Sequence, residues 1–378
     1  LRLARNLLKE DGVIFVSIDD GEVASLRRIG DEIFGEHNFI ANVVWQKKYA
    51  KQNDSKTLSF SHDHILLWAK NAPFWTPGRI ERESEQLKGF KNPDDDERGV
   101  WQSVVYTCNK TRPERPNLYY PIENPFTKEE VWPNENRVWA YDRKRTEKNI
   151  TEKRLWWGKD GSLEKPRMKT FLAEVGTGVV PDTLWLRQHV GDTQDAAREI
   201  RSIFTNPLFD TPKPIALLVR CQQVANCSKD DIILDFFSGS GTAAHAVMQL
   251  NSEDGGKRRH IMVQLPEACD EKSAAFKAGY KNIAEIGKER IRRAGAKIRA
   301  ELEAQIEGEL PGSDKYEEVT AKLANLDTGF RVLKVDTSNM EDVYYRPDEV
   351  TQQGLDMQVE NIKPDRTPED LLFQVLLD

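Results

Sequence analysis

The chemistry of the chain concentrates in residues 235–242, Asp-Phe-Phe-Ser-Gly-Ser-Gly-Thr. A carboxylate stands immediately before a Gly-x-Gly turn, where bare glycine backbone lets a ligand approach closely. The flanks say what must position it. Asp231-Ile232-Ile233-Leu234-Asp235 is a short apolar run ending in an acid, which reads as a strand. Ala243-Ala244-His245-Ala246-Val247-Met248-Gln249-Leu250 has helical apolar periodicity. A strand, a glycine loop and a helix start place a ligand at the carboxyl end of a parallel strand, under the first helical N–H groups.

Three ligand chemistries compete for such a loop. A phosphate-cradling P-loop requires Gly-Lys-Ser or Gly-Lys-Thr, whereas the Gly-Lys pairs here continue as Lys159-Asp160, Lys257-Arg258 and Lys288-Glu289. Gly239-x-Gly241-x-x-Ala244 satisfies the dinucleotide fingerprint, a short pattern that recurs by chance, so a nucleotide-dependent oxidoreductase stays open. Asp235 opposes it, because a carboxylate at the loop would repel a pyrophosphate and suits a cation such as the sulfonium or ammonium of S-adenosylmethionine. An ordinary tight turn in an α/β sheet needs no ligand at all.

The 378 residues suffice for two or three domains with their own cores. No apolar run approaches a membrane span, and Leu1-Arg2-Leu3-Ala4-Arg5 is amphipathic rather than a signal peptide. Cys108, Cys221, Cys227 and Cys269 match neither a disulfide framework nor a zinc site and read as reduced thiols of a cytoplasmic protein. The net charge of −7 argues against indiscriminate nucleic-acid binding, although a global sum can hide a local basic face.

Such a face is expected in residues 71–178, where prolines multiply and tryptophans and tyrosines are interleaved with charge. Between Arg137 and Lys169 eleven Lys and Arg stand against five acidic residues. Basic side chains neutralise phosphates and aromatics pack on sugars or bases, while a solvated charged face is the bland reading. Before it, a helix over residues 3–8 stops at Asp11-Gly12, and Val13–Ile18 is a strand ending at Asp19-Asp20. Glu22–Phe34 is a helix with Val23, Leu26, Ile29 and Ile33 on one face, closed by Gly35. Residues 43–45 and 64–69 are further strands of the same sheet layer. His62 and His64 share one side of a strand, but no third metal ligand sits at a useful spacing, so they read as a hydrogen-bonded strand face. His245 reads as packing or capping.

After the insert, residues 195–203 are expected to be helical, and Pro212-Lys213-Pro214 opens another helix. Ile261-Met262-Val263-Gln264-Leu265 reads as a second strand, ending at Pro266-Glu267. An acid at that point accepts ribose hydroxyls in Rossmann-like sites, which makes Glu267 the candidate and Gln264 its competitor. Residues 280–306 form a long charged helix, 330–335 a short strand, and 369–377 a closing helix. Both chain ends read as truncated.

Residues 3–20, 33–39, 213–220, 235–242, 263–267 and 361–374 together resemble the modification (Mod) subunit of type III restriction-modification systems. The resemblance spans nearly everything outside 71–178, and its motifs fall in one order. It implies an α/β fold: a Rossmann-like methyltransferase sheet with an inserted target-recognition domain and an α+β C-terminal region. The implied domains are a catalytic half (1–70), the insert (71–185), a cofactor half (186–306) and a C-terminal region (307–378). It further implies methyl transfer from S-adenosylmethionine to adenine N6 in double-stranded DNA, a cytoplasmic bacterial homodimer, and a restriction (Res) subunit as partner.

By the same resemblance Asp235, Phe237, Ser238, Gly239, Ser240, Gly241 and Thr242 form the cofactor loop, Lys213 and Pro214 lie near it, and Glu267 holds the ribose. Asp19 and Asp20 would border the target-base pocket. In the family an Asp-Pro-Pro-Tyr tetrad performs catalysis, and here none of the 18 prolines has a proline neighbour. The tetrad is expected upstream of this sequence, on a strand between the one ending at Asp235 and the one at 13–18. Without that strand, two ladders would lack a partner and the core would be marginal. A DNA-binding or assembly module without turnover is the alternative class.

Overall fold

The computed structural model describes residues 1–49, 58–82, 84–176, 178–341 and 361–377. It contains a large unit, Leu1–Thr328, and a small one, Gly329–Asp378.

The large unit opens with α1 (Arg2–Leu7), β1 (Val13–Ile18), α2 (Val23–Phe34), β2 (Phe39–Gln46) and β3 (His62–Ala69). β3 lies between β1 and β2, antiparallel to both, and β11 (Leu184–Trp185) adds parallel to β2. The strands at 13–18, 43–45 and 64–69 therefore share one sheet, as their sequence suggests. Alternation along β3 divides it between two cores. Ile65 and Leu67 pack with Val43, Trp45, Trp185 and Leu217, while Leu66 and Trp68 pack with Ile14 and Phe34. Of the expected stripe of α2, Val23, Leu26 and Ile33 pack against this second core, while Ile29 is 49% exposed. Gly30 takes the buried position, because a side chain there would run into the Trp68 ring, 2.2 Å from an added Cβ.

A run of small elements follows: α3 (Ser84–Leu87), β4 (Trp101–Val105), β5 (Thr107–Cys108), β6 (Ile122–Glu123), β7 (Glu130–Val131), β8 (Val138–Trp139), α4 (Arg143–Thr151), β9 (Leu155–Trp156) and β10 (Arg167–Phe171). β10 pairs with both β4 and β9 in an antiparallel three-stranded sheet. Tyr106, Tyr120, Trp139 and Trp157, expected among possible nucleic-acid contacts, instead form a buried cluster with Ile122. Trp101 is buried as well, and Trp132 is exposed. Small β elements with few aliphatic residues have no other material for a core.

The remainder of the unit carries α5 (Arg187–Val190), α6 (Thr193–Phe204), α7 (Ile215–Ala225), β12 (Ile232–Asp235), α8 (Thr242–Asp254), β13 (Arg259–Met262), α9 (Ala274–Lys277), α10 (Ile283–Glu307) and α11 (Asp314–Asn325). Pro214 is the N-cap of α7, as expected of a proline at a helix start. α10 begins after Asn282, whose side chain accepts from the Glu285 N–H. α11 packs on α10 and α8, so the stretch just past residue 307 joins the body of the large unit.

β12 and β13 run parallel, with Asp235 opposite Met262. The second strand thus ends at Met262, short of the expected Leu265, because its partner strand stops at Asp235 and gives way to the turn, to which Val263 bonds. Among the described residues β12 bonds only to β13, and β1 only to β3. The large unit is mixed α/β, with its strands in separate ladders. In the small unit, the expected strand over 330–335 is absent: no partner strand lies beside it among the described residues, and Leu333 and Val335 are exposed. The helix Pro368–Leu377 is present, with Asp370 accepting from the Thr367 N–H at its start. No described helix is long and apolar enough to cross a membrane.

Candidate functional site

The site is built on the turn between β12 and α8. Gly239 and Gly241 have φ of +51° and +76°, the left-handed region where side chains are strained. At Gly241 an added Cβ would also stand 3.2 Å from the Gly287 carbonyl of α10. The turn is tied down by its backbone: Gly241 N–H donates to Ser238 O (2.7 Å), Ser238 N–H to Val263 O (3.1 Å) and Val263 N–H to Asp235 O (2.8 Å).

Asp235 ends β12 with a half-buried carboxylate that accepts one hydrogen bond, from the Phe237 N–H at 3.1 Å. Burial pushes its pKa up, and the Phe237 N–H offsets this in part. Phe237 itself is 83% exposed, its ring 5.3 Å from that of Phe236. An exposed ring next to a half-desolvated anion can take a ligand that is flat at one end and cationic at the other.

Beneath the loop lies a group that the pattern of glycines did not announce. Arg290 of α10 is fully buried and donates from Nη1 to Ser240 Oγ (2.7 Å) and Thr242 Oγ1 (2.6 Å). Its Nη2 is 3.9 Å from Glu199 Oε2. Burial lowers the Arg290 pKa to about 10, with Glu199 opposing, so it remains a cation at neutral pH. Glu199 also accepts from the Ile215 N–H at 3.0 Å, and burial raises its pKa. One ion pair, buried at its arginine and partly exposed at its glutamate, thus links α6, α7 and the loop. In the sequence Arg290 is one of several cations on a charged helix; only its place in the helical stripe, next to Ile291 and four residues after Ile286, hints at burial.

His245, read as packing, is buried with Nδ1 unpartnered. Burial, then Arg290 and Lys297, hold its pKa at about 3.

The remaining sequence-nominated residues are distributed unequally. Gln264 reaches the loop, accepting from the Gly239 N–H at 2.7 Å. Glu267 is exposed beyond β13, and its backbone carbonyl accepts from the Ile283 N–H at 2.9 Å. Lys213 bonds Asp63 of β3 at 3.2 Å, beside Lys47, which holds the other carboxylate oxygen. Burial lowers the Lys213 pKa, against the pull of Asp63. Lys213 therefore ties the sheet of β1–β3 to the start of α7. Asp20 lies beside His64, 3.3 Å away, and Asp19 accepts from the Gly21 N–H. All four cysteines are free thiols, and burial raises Cys221 to about 12 and Cys227 to about 11.

Known proteins resemble this chain in sequence. Residues 1–292 match the N6_N4_Mtase family, described as DNA methylase. The chain is 38% identical over 306 residues to the type III restriction-modification enzyme StyLTI Mod subunit of Salmonella typhimurium, covering 79% of this chain and 44% of that protein. It is 30% identical over 315 residues to the EcoPI Mod subunit of Escherichia phage P1, covering 77% and 48%. With the type II methyltransferase M.KpnI of Klebsiella pneumoniae it shares 31% over 300 residues, covering 75% and 69%. The chain spans about half the length of these type III relatives. Because the family match takes in the sheet of β1–β3, the insert and the β12–loop–α8 unit together, the chain belongs to the DNA methylase family.

Proposed function

We propose that the chain is the cofactor- and DNA-binding body of a Mod-type DNA methyltransferase, which transfers a methyl group from S-adenosylmethionine to adenine N6 in double-stranded DNA. The observation that carries the cofactor assignment is Asp235. Its carboxylate sits at the loop mouth with a single hydrogen bond, beside the exposed Phe237. The cofactor's α-ammonium and sulfonium suit that anion, its adenine suits the ring, and its carboxylate suits the first N–H groups of α8. Ser238, Gly239, Ser240, Gly241 and Thr242 shape the pocket floor. Glu267 and Gln264 compete for the ribose hydroxyls, and Lys213 with Pro214 borders the pocket through α7.

Residues 1–70 would be the catalytic half, 71–185 the target-recognition insert, 186–306 the cofactor half and 307–378 the C-terminal region. No residue of this chain is assigned the chemical step, which in the resembled family belongs to an Asp-Pro-Pro-Tyr tetrad.

For DNA the best-placed element is α4. Its first turn carries Arg143, Lys144 and Arg145, all exposed, with no acid. Three cations at the positive end of a helix dipole make a corner that attracts phosphate. A homodimer, a Res-type partner and a cytoplasmic bacterial setting complete the reading.

The test is calorimetric binding of S-adenosylmethionine and NAD to the chain and to Asp235→Asn. S-adenosylmethionine is expected to bind and NAD to fail, with the variant about tenfold weaker, as when one charge-assisted hydrogen bond is removed. Affinity should also fall as the pH drops through the raised Asp235 pKa, because the protonated acid no longer attracts the cation. Preferential NAD binding would instead establish the oxidoreductase reading. Label transferred to adenine N6 in a methylation assay would add the reaction itself.

A further inference from the structure

We propose that Asp20, His62 and His64 form a binding site for a zinc-type divalent cation, at the end of β1 remote from α1. In the sequence the two histidines lack a third ligand; the fold supplies it. β1 pairs with β3 so that Ile18 faces His64, and two residues past Ile18 the chain turns toward α2 with Asp20 on the turn. The ligand atoms of Asp20, His62 and His64 all lie within 4.8 Å of one another. His64 Nε2 is 3.3 Å from Asp20 Oδ1. That matches the spacing of two ligands on one tetrahedral ion with metal bonds of about 2.0–2.1 Å. The His62 and His64 rings are edge to face, with centroids 5.2 Å apart.

The hydrogen bonding of His64 points the same way. Its Nδ1 is 3.0 Å from Asn42 Oδ1 and its Nε2 faces the Asp20 carboxylate, so both ring nitrogens meet oxygen acceptors. A neutral ring has one N–H and satisfies one of them, whereas an imidazolium satisfies both. With the proton on Nδ1 donated to Asn42, the Nε2 lone pair confronts a carboxylate, an arrangement that a cation between them resolves. A ligating histidine whose other N–H is held by a fixed acceptor is the usual metal-site arrangement. Two imidazoles and one carboxylate favour zinc over magnesium or calcium, which prefer all-oxygen shells. The His64 side chain is 12% exposed and that of Asp20 58%, so the acid can close onto the ion and solvent can reach an open fourth position. Bound there, the ion would clamp the turn between β1 and α2 to the start of β3.

The experiment is calorimetric titration of the chelator-treated chain with zinc chloride, and separately with magnesium chloride. One equivalent of zinc is expected, with magnesium at least about 100-fold weaker. His62→Gln and Asp20→Asn, both on side chains that are not buried, should each weaken zinc by about tenfold or more, and Asn42→Ala by about tenfold through removal of the supporting acceptor. Cobalt substitution should give visible absorption of a nitrogen- and oxygen-ligated ion without a thiolate charge-transfer band. Absence of zinc uptake, uptake unchanged in both His62→Gln and Asp20→Asn, or a thiolate band would each overturn the site. Thermal melts of the metal-free variants separate impaired ligation from impaired folding.

Discussion

In the insert, Lys169 is buried between Asp94 and Asp96, bonding both. Nearby, the Tyr106 hydroxyl meets Thr146 at 2.8 Å and Asn149 at 2.9 Å, and Tyr120 donates to Tyr141 O at 2.7 Å. Of these groups Asn149 Oδ1 is without a partner. Under the glycine loop the shortfall is greater. Arg290 leaves Nε and Nη2 without hydrogen-bond partners, and His245 leaves Nδ1 without one. Largely satisfied buried networks fix a structure, whereas less satisfied ones store a cost that persists where function needs the groups. The insert core is accordingly structural, and the polar cluster beneath the loop keeps the loop's shape against its own desolvation cost.

The largest effect expected from this contrast is in the insert. Trp139 is fully buried, and its indole donates to Tyr120 O at 2.7 Å. Trp139→Ala should cost about 3–5 kcal/mol in urea unfolding, as for other large-to-small core changes. S-adenosylmethionine affinity should persist in the folded fraction. Equal weakening of cofactor binding would show that the two regions are one energetic unit and break the comparison.

The second effect is a pH dependence located under the loop. His245 has a pKa of about 3 in the folded chain against 6.5 ordinarily. Between these values the unfolded chain holds a proton that the folded chain does not, so stability falls as pH falls through this window. The decrease is on the order of 3 kcal/mol by about pH 4. His245→Leu should flatten the slope measured by urea unfolding from about pH 7 to pH 4. Part will remain, since burial also lowers His260. An unchanged slope would remove His245 from the buried cluster.

Arg290→Met comes next, at about 2 kcal/mol. It strips the donor from Ser240 and Thr242 and leaves Glu199 without its cation, but returns the cost of burying a charge. Cofactor affinity should fall with it, because the loop is then without its anchor. Arg290→Lys should recover little, since an ammonium lacks the planar fork that spans both hydroxyls. A variant that was destabilised but bound the cofactor normally would make the loop self-supporting.

The loop was legible in the sequence because its requirements are local. Left-handed backbone at Gly239 and Gly241, an acid ending a strand and a helix beginning at Thr242 are each visible within a few residues. Arg290 was not legible, since it is brought to the loop from 48 residues after Thr242 by the packing of α10 on α8. The same limit hid Asp20 from His64, which only strand register brings together. Aromatics of the insert misled for another reason: Trp139 and Trp157 serve a core or a ligand equally well by type, and burial decides. Residues 330–335 have a strand-like apolar content, but a strand exists only with a partner, which no single segment reveals.

The smallest expected stability change comes from the surface of the insert and separates structure from function most cleanly. Lys144 and Arg145 occupy the second and third positions of α4, after the Asp142 cap. There they oppose the helix dipole, so Lys144→Ala with Arg145→Ala should leave the chain as stable or stabilise it by a few tenths of a kcal/mol. If the pair neutralises phosphates, the same change must weaken duplex binding across all sequences. It should also reduce the slope of log affinity against log salt by about 0.9 for each phosphate no longer neutralised, read by fluorescence anisotropy between about 50 and 200 mM salt. The two effects have opposite signs, and no packing defect can produce both. Unchanged stability with an unchanged salt slope would mean that the helix carries its charge for solubility and that DNA lies elsewhere.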